Sequence, residues 1–275
     1  MVNLIEIDNL TYWYGQNKDA PVLRNINLSI HKGEFIAIVG PNGCGKSTLI
    51  RHFNGLLLPS GGKALVAGLD TGEPKNLPVI RGKVGMVFQN PDTQLFASVV
   101  EEDVAFGVEN LCLSRDEIIN RVGEALALVG MEEYRHHPPH RLSGGQKQKV
   151  AIAGILAMQP ECIVLDEPTS MLDTGGKREI MEAVRALNVK FGITVVLVTH
   201  DMEETLYCHR ILALMGGKAV FSGRPGKFFT DVTLLDSLGL QAPPVRELVN
   251  GLISEGVDLS PGINTAEELV DALCS

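Results

Sequence analysis

Gly40-Pro41-Asn42-Gly43-Cys44-Gly45-Lys46-Ser47-Thr48 fits the pattern G-x-x-x-x-G-K-[ST], whose chemistry is the holding of a polyphosphate. Glycines let successive backbone N–H groups close around an anion, and the start of a following helix adds partial positive charge. The Lys46 ammonium then reaches the β- and γ-phosphates, and the Ser47 hydroxyl ligates Mg²⁺. The pattern requires a strand before it and a helix after it. The apolar run Phe35-Ile-Ala-Ile-Val39 supplies the first, and Leu49, Ile50 and Phe53 are spaced to bury one side of the second.

Two carboxylates end another apolar run, Cys162-Ile-Val-Leu-Asp166-Glu167. Such a run reads as a strand buried on both faces, and ligands of open α/β sheets bind outside the C-terminal strand ends. Asp166 suits Mg²⁺, a hard cation that prefers oxygen, and Glu167 is placed to accept a proton from an attacking water. Upstream lies Leu142-Ser143-Gly144-Gly145-Gln146, leading into the helical stretch Val150–Met158. Ser143 and Gln146 have capping-box spacing, and a helix start with two glycines offers bare N–H groups to an anion.

This ordered set strongly resembles an ATP-binding cassette (ABC) ATPase. The resemblance implies an α/β fold: a P-loop NTPase with a RecA-like core, an antiparallel β subdomain and a helical subdomain. It implies ATP and Mg²⁺ as cofactors, with Gly40 to Thr48, Ser143 to Gln146 and Asp173 binding ATP and Ser47, Gln89 and Asp166 at the metal. Gln89, in Val87-Phe88-Gln89-Asn90-Pro91, matches the glutamine that touches Mg²⁺ and water and links the site to the membrane partner. Ser170-Met171-Leu172-Asp173 matches the loop that crosses to a second subunit, and His200 matches the histidine that contacts the γ-phosphate and orients Glu167. Lys46, Gln89, Glu167 and His200 form the implied catalytic set. Tyr14 matches the aromatic that stacks on adenine, with Tyr12 and Trp13 as alternatives. The chain departs from the family at Gln148-Lys149, where Gln-Arg is usual, and at Thr174, where proline often stands. Neither removes a catalytic group, so an active ATPase of the translocase class is expected.

Phe88-Gln-Asn-Pro-Asp-Thr-Gln-Leu-Phe96 and Val100-Glu-Glu-Asp-Val-Ala-Phe-Gly107 resemble the ATPase subunits of energy-coupling factor (ECF) transporters. These importers take up vitamins or cobalt and nickel ions. The resemblance implies as partners a second ABC ATPase subunit, identical or paralogous, a transmembrane coupling protein and a small substrate-binding membrane protein. Asp92, Glu101, Glu102 and Asp103, beside Leu95, Phe96, Val99, Val100 and Phe106, are expected to form a groove for an arginine-bearing helix of the coupling protein. Cys44 is expected to have a lowered thiol pKa in the field of a helix start.

The 275 residues leave room for one cassette and a short tail. We expect the cassette over 1–225, its helical part over about 90–160, and a C-terminal helical extension over 226–275 as a candidate dimerisation element. Residues 1–33 alternate apolar and polar types (Leu4, Ile5, Ile7; Leu23, Ile26, Leu28, Ile30), the pattern of antiparallel strands. Ser114 is a helix cap ahead of Arg115. A net charge of −9 argues against nucleic acid as main partner. There is no run of 18 apolar residues and no leader at Met1, so a peripheral place on the cytoplasmic face of the cell membrane is expected. Five cysteines without a C-x-x-C pair read as free thiols, and His136-His137-Pro-Pro-His140 reads as a solvated loop. The alternatives are a general ABC importer or exporter ATPase, or a chromosome-maintenance or DNA-repair ABC ATPase. The latter would insert long coiled coils between Gly40 and Ser143, and no sustained heptads stand there.

Overall fold

Two apolar patterns produce two kinds of strand. In the computed structural model, which describes residues 2–15, 19–260, 262–263 and 265–274, the alternating segments become β1 (Asn3–Tyr12) and β2 (Leu23–His31). The continuous run becomes β3 (Phe35–Val39), with all five residues buried, and leads through the glycine-rich turn into α1 (Lys46–Ile50). β4 (Gly61–Val66) and β5 (Leu69–Asp70) complete a four-stranded antiparallel sheet of order β2-β1-β4-β5.

α2 (Leu77–Lys83) enters β6 (Val84–Val87), after which the helices α3 (Val100–Glu109), α4 (Arg115–Leu128) and α5 (Gly144–Ala157) pack on one another. β7 (Cys162–Asp166), α6 (Thr174–Phe191), β8 (Thr194–Val198), β9 (Arg210–Met215) and β10 (Lys218–Gly223) follow. They build a second sheet of order β10-β9-β3-β8-β7-β6, in which every pairing but β10 on β9 is parallel. Parallel pairing sends the chain out of β3, β6, β7 and β8 at one edge. That is why residues far apart in sequence meet there.

The six-stranded sheet is the middle of three layers. Ile36 and Ile38 of β3 face the antiparallel sheet, whereas Phe35, Ala37 and Val39 face the helices. The period of two along a strand makes this division unavoidable. Both faces are therefore covered, as an unbroken apolar strand requires.

The helix after the glycine-rich turn is shorter than the spacing of Leu49, Ile50 and Phe53 predicts. The His52 ring nitrogen Nδ1 lies 2.8 Å from the Thr48 carbonyl, the acceptor that the His52 amide would use in a continuing helix. That amide turns instead to Leu49 O at 3.0 Å, and the chain tightens. Phe53 is buried all the same.

The C-terminal segment is helical where the pattern predicts, as α7 (Pro225–Thr230), α8 (Val232–Leu238), α9 (Pro244–Ser254) and α10 (Ala266–Cys274). Val249, Leu259, Ile263 and Leu269 form a small core of their own. Arg246, fully buried, donates to Ile263 O at 2.6 Å and Gly226 O at 3.2 Å. Among the described residues no helix is long and apolar enough to cross a membrane.

Candidate active site

The turn between β3 and α1 closes against its surroundings so tightly that two of its glycines are obligatory. A Cβ on Gly40, at φ +144°, would stand 2.1 Å from Leu214 O, and one on Gly45, at φ +107°, 2.7 Å from a methyl of Leu23. Lys46 is buried, and its Nζ donates to Gly40 O at 2.8 Å and Pro41 O at 3.2 Å. Burial holds the Lys46 ammonium below its usual pKa, with Cys44, Glu167 and Asp166 acting in the opposite direction.

Ser47 Oγ donates to Asp166 Oδ1 at 3.2 Å. Burial pushes the Asp166 carboxyl above the usual range, the Ser47 hydrogen bond pulls it down, and the neighbouring Glu167 raises it again. A hydroxyl beside a buried carboxylate with excess negative charge fits a hard divalent cation.

Glu167 is the meeting point of three segments. Gln89 Nε2, beyond β6, donates to its Oε2 at 2.8 Å, and His200 Nε2, beyond β8, lies 2.8 Å from its Oε1. Each carboxylate oxygen keeps a second lone pair for a water proton. Glu167 has φ +49°, rare for a residue with a Cβ, and is held there by its N–H to Val198 O at 2.9 Å. Such a conformation costs about 1–3 kcal/mol and persists where the surroundings over-determine it.

The remaining predicted residues fall into two groups. Tyr14, half exposed, places its hydroxyl 3.1 Å from Thr48 Oγ1 beside the glycine-rich turn. The Tyr12 ring is packed edge-on between Tyr14 and His52, with centroids 4.9 Å away in both cases. Ser143 and Gln146 form the capping box of α5 in full, and Ser143 and Gly144 face solvent. Asp173 uses Oδ1 to accept the Gly176 N–H at 2.8 Å, capping α6. Thr174 is then the first residue of that helix, a position where proline is tolerated but not needed.

Two expectations are overturned. Burial raises the Cys44 thiol pKa, and the Lys46 charge only partly offsets this. Asp103 is not a docking carboxylate: it is buried, and its Oδ1 accepts the N–H groups of Phe96 and Ala97 at 2.9 and 3.0 Å. Glu101 is engaged by Arg135 at 2.6 Å and by His136 at 3.1 Å, and Asp92 by Lys147 at 2.7 Å. Glu102 and Asp92 are exposed in this group, and Glu102 stands one helical turn ahead of Phe106, whose ring meets that of Phe96 edge to face at 4.7 Å. His52 and Glu204 belong to no motif, yet both are buried against the site. A lone polar residue gives no periodic signal by which to find it.

The ABC transporter family model matches residues 23–170. The energy-coupling factor transporter ATP-binding protein EcfA1 of Caldanaerobacter subterraneus subsp. tengcongensis is 51% identical over 276 residues, covering 100% of both chains. That of Clostridium novyi is 50% identical, covering 99% of this chain and 98% of the relative. Among solved structures, cbiO1 of Clostridium perfringens, part of the ABC transporter complex cbiONQ, superposes with TM-score 0.78 at 38% identity, covering 90% of this chain and 99% of that one. The dimeric ATP-binding cassette MJ0796 in a post-hydrolysis state with ADP and Pi gives TM-score 0.72 at 33% identity, covering 80% and 98%. A cassette fold with this edge geometry and full-length relatives at half identity has one interpretation: the chain belongs to the ABC transporter family of nucleotide-binding ATPases, in the group of energy-coupling factor transporter ATP-binding proteins.

Proposed function

We propose that this chain is the ATP-hydrolysing subunit of an ECF-type importer, energising uptake of a vitamin or a transition-metal ion through membrane partners. The observation that supports it most is the convergence of Gln89, Glu167 and His200 at 2.8 Å contacts on the edge that also bears Lys46 and the Ser47–Asp166 pair. Residues 1–225 are the cassette and 226–275 an extension. The chain works peripherally, on the cytoplasmic face of the membrane.

The phosphate-binding turn, Gly40 to Thr48, wraps the ATP phosphates with backbone N–H groups. Lys46 exchanges its carbonyl partners for phosphate oxygens, and Tyr14, more exposed than Tyr12, stacks on adenine. Ser47, Asp166 and Gln89 would hold Mg²⁺, which would neutralise charge on the transferring phosphoryl group. Glu167 takes the proton of the attacking water on a carboxylate oxygen, while Gln89 and His200 fix that carboxylate from both sides. Ser143 to Gln146, with Ser143 and Gly144 facing solvent in one chain, complete the site of a second ABC ATPase subunit packed head to tail. The capping role of Asp173 fixes the start of α6 behind the crossing loop.

Glu167→Gln tests the assignment. The amide keeps the shape but cannot accept the proton, so kcat falls by about 10²- to 10⁴-fold. ATP binding is retained, and Mg-ATP accumulates a closed dimer visible by gel filtration or small-angle scattering. Turnover at the wild-type rate removes Glu167 as the base.

A further inference from the structure

We propose that Glu204 is a positioning residue that sets the Glu167–His200 contact by tying together the two segments carrying those side chains. The inference rests on the roles of Glu167 and His200 proposed above.

Glu204 opens the short 3₁₀ turn Glu204–Tyr207 beyond β8 and is only 4% exposed. Each of its carboxylate oxygens accepts one hydroxyl. Oε1 takes that of Thr169 and Oε2 that of Thr199, the latter at 2.5 Å. Thr169 lies two residues beyond Glu167, and Thr199 immediately precedes His200. Thr199 Oγ1 also accepts the Asp201 N–H at 2.9 Å, so one hydroxyl fixes the backbone on both sides of His200. The nearby ammonium, Lys177 Nζ, is committed to Asp201 Oδ2 at 2.9 Å.

A carboxylate buried for two neutral hydroxyls is a costly way to join two loops. Two features give it a purpose beyond packing. Its acceptors are divergent, so it links chain segments that leave different strands, and it accepts from both without needing a donor of its own. Both segments end in side chains whose mutual placement decides the proton transfer. Glu204 touches neither ATP nor water in this scheme. It acts through the distance between Glu167 Oε1 and His200 Nε2, 2.8 Å here, and a misplacement of about 1 Å at a reacting group costs on the order of 10²-fold in rate.

The test is steady-state ATP hydrolysis by the full chain with Mg-ATP, for Glu204→Ala, Glu204→Gln and Thr199→Val. Glu204→Ala lowers kcat by about 10- to 100-fold and leaves the KM for ATP within about twofold, because the phosphate-binding turn is untouched. Glu204→Gln recovers most of the rate, since its amide accepts one hydroxyl and donates to the other. Thr199→Val, which removes the hydroxyl nearest His200 without opening a cavity, reproduces the kcat loss and serves if the alanine variant does not fold. Imidazole NMR resonances of His200 shift in Glu204→Ala while those of His52, which packs on Tyr12 and Thr48, stay in place. Wild-type kcat in both Glu204→Ala and Thr199→Val, or a loss confined to KM, overturns the inference. Failure of the underlying reading shows separately, as wild-type turnover in Glu167→Gln.

Discussion

Cys44 shows how two physical effects compete at one residue. Lys46 and the surrounding N–H groups favour the thiolate, whereas burial favours the thiol, and burial is the larger effect. The thiol pKa is raised, so the thiolate fraction near neutral pH is smaller than in an exposed cysteine and grows only as pH rises into the alkaline range. N-ethylmaleimide at neutral pH is therefore expected to modify the exposed Cys112 and Cys274 well before Cys44. ATP hydrolysis should survive that first phase of labelling, and the Cys44 rate should climb with pH. Peptide mass spectrometry over a time course checks the order, and Cys44 reacting first would reverse the assignment. The motif around Cys44 was legible as residue types, but the sign of its pKa shift depended on what covers it.

At the scale of elements, caps and buried polar anchors decide where segments stop and dock. Ser114 accepts the Glu117 N–H at 3.3 Å and starts α4 at the residue the sequence predicts, because a cap involves only neighbours in sequence. Arg246 is different, since its acceptors lie on other segments of the C-terminal extension. Burial lowers its pKa, yet the guanidinium stays charged and makes strong bonds to the two carbonyls. A hydrogen bond from a charged group contributes about 1.5–3 kcal/mol. Arg246→Ala should thus loosen the docking of α9 by about 3 kcal/mol or more. Hydrogen exchange should report it as lost protection over residues 244–254, with the amides of β3, β7 and β8 exchanging as in the wild type. Unchanged protection of α9 would show that its apolar face alone holds it. Asp103 is anchored locally instead: its neighbours suggest a charged face, but the amides of Phe96 and Ala97, just ahead of α3, claim its oxygen.

For the whole molecule, the informative surface is the one beside Gln89. Phe96 and Phe106 are 66% and 51% exposed and lie edge to face, with Glu102 next to them. Under the proposed function this is where a short arginine-bearing helix of the membrane coupling protein docks. Glu102→Lys places like charges together and should weaken assembly with that partner by about tenfold or more, most strongly at low salt. ATP hydrolysis by the isolated subunit should change by less than about twofold, because Glu102 is outside the nucleotide site. Co-purification in mild detergent with parallel ATPase assays separates the two effects. Intact assembly would exclude this carboxylate from docking.

The sequence alone determined whatever depends on residues close together along the chain. Phe35–Val39 and Cys162–Leu165 had to be buried strands because a run of apolar residues offers no polar face, and Ser143 with Gln146 had to cap a helix because each reaches the other's N–H. The tertiary structure decided the rest. Gln89, Glu167 and His200 meet only because β8 lies between β3 and β7, with β6 next in line, an order that no local pattern encodes. Glu204, Asp103 and Cys44 look like surface or loop residues by type, and their roles follow from burial. Burial belongs to the layers that cover a residue, and those layers are assembled from segments far away in the chain.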